Sequence, residues 1–152
     1  MNPTVHIALT QNAPASICSI FRFEELFQIR YFPHLLFADW KVEQWVRHKC
    51  AQAYKRGRVG ELALWLGKLH GKQIDEGGVP ALTIRWMGEQ IGYGAYANKL
   101  FEKWEYIGEY TGLLRKRGLL FRNLNDYCFM YPQMWFSLNP LTIDANQQGN
   151  LT

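Results

Sequence analysis

Apolar residues change their period once along this chain. Up to His70 they recur every three to four positions, and from Leu82 onward every two. The first spacing puts apolar side chains on one face of a helix, and the second puts them on one face of a strand. Phe23, Leu26, Phe27 and Tyr31 predict a short helix over about 20–31, interrupted by Pro33. Val42, Trp45, Val46, Cys50 and Ala53 predict a second over about 39–55, with Asp39 as its N-cap. Gly57 and Gly60 break the pattern. Leu62, Trp65, Leu66 and Leu69 then predict a third helix over 61–70, with Gly71 placed as its C-cap.

Residues 72–80 have the composition of a linker, and the period switches beyond them. Leu82, Ile84 and Trp86 alternate with Thr83, Arg85 and Met87. Strands are expected over 82–87, 91–97, 104–110, 126–131 and 138–143, with an irregular helical turn within 115–122. Residues 1–19 are small and polar and read as a loose arm, with a short strand over Val5–Leu9. The organisation is therefore α+β: an arm over 1–19, a helical segment over 20–71, a linker over 72–80 and a β-rich segment over 81–152.

Composition narrows the function classes. Hydrophobic residues make up 48% of the 152, too many for a disordered chain. Cys18, Cys50 and Cys128 are isolated, which excludes a Cys-x-x-Cys zinc cluster and a disulfide framework and fits a reducing compartment. His6, His34, His48 and His70 form no ligand pattern. The first 19 residues lack the basic and apolar regions of a Sec signal, and no apolar run approaches the length of a membrane span. A cytoplasmic protein, or one exported by a non-Sec route, is expected.

The net charge of +4 permits an acidic partner without requiring one. Lys49, Lys55, Arg56 and Arg58 end the second helix, where cations suit the helix dipole. The run is short and not interleaved with stacking aromatics, so a solvated helix end is favoured over a nucleic-acid patch, and no direct nucleic-acid contact is expected.

The glycine-rich stretch Gly92-Tyr93-Gly94-Ala95-Tyr96-Ala97 matches Gly-x-Gly-x-x-Ala, the dinucleotide fingerprint. Its context argues against that reading, because a half-polar strand precedes it and the helix-compatible segment after it, 98–103, is too short. Three further blocks follow: Tyr106-Ile107-Gly108-Glu109-Tyr110-Thr111-Gly112, Asn125-Asp126-Tyr127-Cys128-Phe129, and Thr142-Ile143-Asp144-Ala145 with Gly149-Asn150. Each alone reads as a strand with a turn.

Together, in this order and spacing, the four blocks resemble a SET domain, the fold of many protein-lysine methyltransferases. The resemblance covers about residues 82–152. Trp65-Leu66-Gly67-Lys68-Leu69-His70 and the run from Asn125 to Pro132 look like the chlamydial-type SET proteins, in which a helical segment stands in place of a zinc-binding module.

The resemblance implies S-adenosylmethionine as cofactor and a lysine-rich protein, a histone or histone-like protein, as substrate. It implies cofactor binding by Gly92, Tyr93, Gly94, Asp126 and Tyr127. Tyr110 and Tyr127 become the catalytic residues, with Tyr110 lining the lysine channel, and Asp144 is expected to fix a turn. The family's Arg-Phe-x-Asn-His-Ser block and its later tyrosine strand do not occur before Thr152, so this chain alone is expected to be inactive. The alternative from another class is a catalytically inactive SET remnant that binds a protein partner.

Overall fold

The structure is a computed structural model that describes residues 4–117, 124–131 and 140–151. Among these residues it is mixed α/β, with three helices and several small sheets, consistent with α+β. No helix among them is long and apolar enough to cross a membrane.

The polar arm of the sequence is not loose. Thr4–Ala8 (β1) and Ser16–Ser19 (β2) form an antiparallel pair, and β1 also pairs in parallel with Leu82–Trp86 (β5). Tyr93–Ala97 (β6) completes this first sheet in the order β2-β1-β5-β6. The period-two side chains of β1, Val5 and Ile7, are 0% and 2% exposed, so a strand of only five residues is central. Residues on both sides of the 72–80 stretch thus share one sheet, and that stretch separates two sequence patterns rather than two folding units.

Ile20–Phe27 (α1) closes this sheet. Ser19 caps it through the Arg22 N–H, and Gln28 ends it in the left-handed region at φ 53°. The remainder of the expected first helix is a two-residue strand, Arg30–Tyr31 (β3), paired in parallel with Gln148–Gly149 (β10). Val5, Ile7, Phe23, Leu82, Ile84 and Leu151 form the first core.

Trp40–Lys55 (α2) starts at Asp39 as its sequence predicts, with the Asp39 carboxylate accepting from the Val42 N–H at 2.9 Å. Its buried residues Val42 and Val46 pack on the second sheet, built from Leu36–Phe37 (β4), Leu113–Lys116 (β7), Leu141–Asp144 (β9) and Cys128–Met130 (β8) in the order β4-β7-β9-β8. Leu114, Leu141 and Ile143 supply the sheet side of this second core.

Two expectations fail for physical reasons. Glu61–Glu76 (α3) runs through Gly71, which has open space where a Cβ would stand, and ends instead at Gly77 with φ +61°. The Gly77 N–H reaches the carbonyls of Gln73 and Ile74. The expected strand at 104–110 is irregular: Trp104 takes φ +68°, and the Glu105 carboxylate turns back to Lys99 and to the Glu102 N–H. The expected helical turn within 115–122 begins as strand β7, and its residues 118–122 lie outside the described residues. Residues 138 and 139 of the last expected strand also lie outside them.

Gly71 and Gly77 give opposite stability expectations. Gly71→Ala sits in a helix interior with room for its methyl and should raise stability by about 0.5–1 kcal/mol. Gly77→Ala meets the His34 ring at 2.7 Å at a positive φ and should lower stability by about 1–3 kcal/mol. Urea unfolding of both variants checks this; a destabilised Gly71→Ala would place the helix end at residue 71 after all.

Candidate functional site

Sequence-implied site residues fall in two places. Gly92, Tyr93 and Gly94 lie on the β5–β6 hairpin of the first sheet, where Trp86 faces Tyr93 and Arg85 faces Gly94. The connecting turn is closed by the Met87 N–H to the Gly92 carbonyl at 2.7 Å and the Gly92 N–H to the Gly88 carbonyl at 2.8 Å. Gly92 has φ +76° and open space on its Cβ side. Glycine is required there by conformation, and the bare main chain leaves room for a ligand.

Gly94 differs. It has no positive φ, and an added Cβ would stand 3.1 Å from the Tyr96 ring and 3.5 Å from Met87. The positive φ and the open Cβ side thus lie at Gly92 and not at Gly94. Tyr93 packs edge-on against Phe27 at 4.7 Å and Trp86 at 5.0 Å between centroids, an aromatic group that fixes the hairpin against α1.

Parts of the other three blocks meet at one end of the second sheet, while Gly149 pairs with Tyr31 in the β3–β10 ladder. Thr111 is buried, and its hydroxyl donates to the Phe32 carbonyl at 2.8 Å. Gly112 is not a turn glycine: an added Cβ would lie 2.6 Å from the Asp144 carbonyl oxygen. The Asn125 side-chain carbonyl accepts from the Tyr127 N–H at 2.9 Å and turns the chain into β8.

Tyr110 donates its hydroxyl to the Tyr127 main-chain carbonyl at 2.9 Å, and its ring lies 5.7 Å from Phe129. Burial raises the pKa of its phenol, with Cys128 and Asp144 adding to the effect, so it stays a donor. Tyr127 itself is 59% exposed, and Asp126 is exposed beside it. The structure therefore brings Tyr110, Asp126 and Tyr127 together at one end of the second sheet and places Gly92, Tyr93 and Gly94 on the other sheet.

Asp144 organises this end. Its carboxylate is paired with Arg115 at 2.7 Å and accepts from Asn125 at 3.1 Å and from the Asn146 N–H at 3.2 Å. Burial works to raise its pKa, but the hydrogen bonds from Asn125, Arg115 and Asn146 outweigh it and hold the carboxyl below its ordinary value. Arg115 was invisible in the sequence because its partner lies on a strand 29 residues away.

A cavity of about 220 Å³ is lined by the end of α3, the 77–81 segment that follows it and the irregular 106–109 segment. Glu76, Phe101, Tyr106 and Glu109 are among its walls. Burial raises the Glu109 pKa, opposed by His34, and Tyr106 is likewise raised by burial and by Glu109. Among the described residues no group of three or more His, Cys, Asp or Glu is placed to hold a metal ion. No protein-family model, curated protein or solved structure matches the chain.

Asp144 makes stability depend on acid. Its folded-state pKa lies below the ordinary 3.8, so its contribution is present above that value and is lost as pH falls through the folded value. Asp144→Asn should cost about 1.5–3 kcal/mol near neutral pH, and the gap to the parent should narrow in acid, as the pH falls below the ordinary 3.8 and through the lower folded value. Urea midpoints of both proteins at neutral pH and in acid check this; an unchanged gap would remove Asp144 as the anchor.

Proposed function

We propose that the segment over about 82–152 is part of a SET-type, S-adenosylmethionine-dependent protein-lysine N-methyltransferase, acting on a lysine-rich protein such as a histone or histone-like protein. The observation that carries this reading is the convergence of the second, third and fourth blocks. Gly112 abuts Asp144, Asn125 bonds Asp144, and Tyr110 bonds the Tyr127 carbonyl. Residues far apart in sequence thus meet through the same positions that carry the resemblance.

When bound, S-adenosylmethionine supplies an electrophilic methyl group on a sulfonium. Gly92 offers it an open main-chain approach, which meets the need for close contact; Gly94 does so only with movement of the exposed Tyr96 ring. Tyr93 is the aromatic beside that approach. Tyr110 and Phe129, with ring centroids 5.7 Å apart, form an aromatic wall suited to the aliphatic stem of a lysine and to its ammonium, and Tyr127 contributes its main-chain carbonyl. A free lysine amine has a pKa of about 10.4, and partial burial against such a wall favours the neutral amine needed as nucleophile. The Tyr110 hydroxyl, held by the Tyr127 carbonyl, fixes the wall in place.

A binding module without turnover is the second reading. It is favoured by α3, which exposes Leu62, Trp65 and Leu69 and buries no residue fully.

Calorimetry with S-adenosylmethionine, on the chain together with whatever its reading frame adds after Thr152, tests the first reading. Saturable binding is expected. Gly92→Ala should weaken it at least tenfold. Gly88→Ala, at φ +110° in the same turn, pays similar backbone strain and should leave it within about threefold. Tyr110→Phe should retain cofactor binding and change the number of methyl groups transferred to a histone, read by product mass. Absence of saturable binding, or equal losses in Gly88→Ala and Gly92→Ala, overturns the cofactor assignment.

A further inference from the structure

One helix, with the residues that flank it, carries a charge equal to the net charge of the whole protein. Over residues 39–58 six cations, Lys41, Arg47, Lys49, Lys55, Arg56 and Arg58, stand against Asp39 and Glu43, a balance of +4. The whole chain carries +4, so everything outside α2 and its C-terminal turn is neutral in sum. A second basic run, Arg115, Lys116, Arg117 and Arg122, is offset by acids elsewhere in the chain, and its Arg115 is paired with Asp144.

The fold turns that charge outward. Val42 and Val46 point into the second core, while all six cations are exposed. Of the two carboxylates, Asp39 caps the helix and Glu43 bonds Arg47 at 2.8 Å. Lys41 and Lys49 each lie 5.8 Å from a tryptophan ring centroid, contacts that leave their charge intact. In sequence the basic run seemed confined to 49–58; as a folded rod it begins at Lys41 and spans about 24 Å.

We propose that the outer face of α2 docks a nucleic-acid duplex through its phosphates, without reading base sequence. Charge complementarity identifies the occupant. A duplex presents a phosphate about every 1.7 Å of its axis, so a basic rod of this length meets several at once. Three of the six cations are arginines, whose planar forks match phosphate oxygens. A lipid surface fits less well, because the apolar stripe of α2 is already packed in the protein's own core and cannot enter an acyl layer. An acidic protein would need apolar anchors at the centre of the patch, whereas the exposed Trp40 and Tyr54 lie at its ends. The inference is independent of the methyltransferase reading, since a lysine-rich substrate is repelled by this face.

Fluorescence anisotropy of the full chain with a labelled duplex of about 20 base pairs, longer than the helix, is the test. Saturable binding is expected, with the logarithm of the association constant falling against the logarithm of salt at a slope of about −3 to −5 between about 50 and 200 mM. Lys49→Glu, Lys55→Glu and Arg56→Glu combined should weaken binding at least tenfold with an unchanged circular dichroism spectrum. Lys68→Glu, Lys72→Glu and Lys103→Glu combined change the net charge equally, on α3 and the segment after β6, and should leave binding within about threefold. Equal losses in the two triple variants, no saturable binding at the lower salt, or binding to phosphatidylserine vesicles without binding to the duplex would each overturn the proposal.

Discussion

Gly112 has no room for a side chain because the Asp144 main chain occupies the place of its Cβ. That approach fixes how closely β7 and β9 lie at the end where the tyrosines meet. The Asp144 side chain then works from the same position, holding Arg115 on β7 and Asn125 before β8. One residue thus sets the spacing through its backbone and the alignment through its carboxylate. Such a half-buried carboxylate is stabilising only when its oxygens are bonded, and here both accept.

From this anchor the geometry passes to the rest of the chain by short hydrogen-bonded steps. Thr111 bonds Phe32, Phe32 bonds Gly149, and Asn150 bonds the Glu109 carbonyl. These bonds straddle the small β3–β10 ladder, which lies in sequence between the elements of the two cores. Leu151, one residue beyond, enters the first core beside Val5 and Phe23. The two sheets are therefore coupled by polar main-chain contacts, and each keeps its own apolar cluster.

The helices divide the surface by chemistry. α2 shows a basic face and α3 an apolar one, with Trp65 meeting Trp104 edge-on at 5.5 Å. Both helices have amphipathic sequences, yet α2 buries Val42 and Val46 whereas α3 buries no residue fully. Periodicity reports that a face is apolar, and says nothing about whether a neighbour covers it.

The sequence by itself determined the mixed architecture, the starts of all three helices within a residue or two, the Asp39 cap, and the β5–β6 hairpin around its glycines. These are local: each depends on period, capping or turn chemistry within a few residues. Only the tertiary structure decided that the polar arm supplies a central strand, because parallel pairing of β1 with β5 joins residues 4–8 to 82–86. Only it showed that Gly112 is a contact and not a turn, that the conformational need falls on Gly92 and not Gly94, and that Arg115 completes Asp144. Only it set the Gly92 hairpin and the Tyr110–Tyr127 pair on different sheets. Each of these depends on residues distant in sequence that become neighbours, and a linear pattern holds no distance between them.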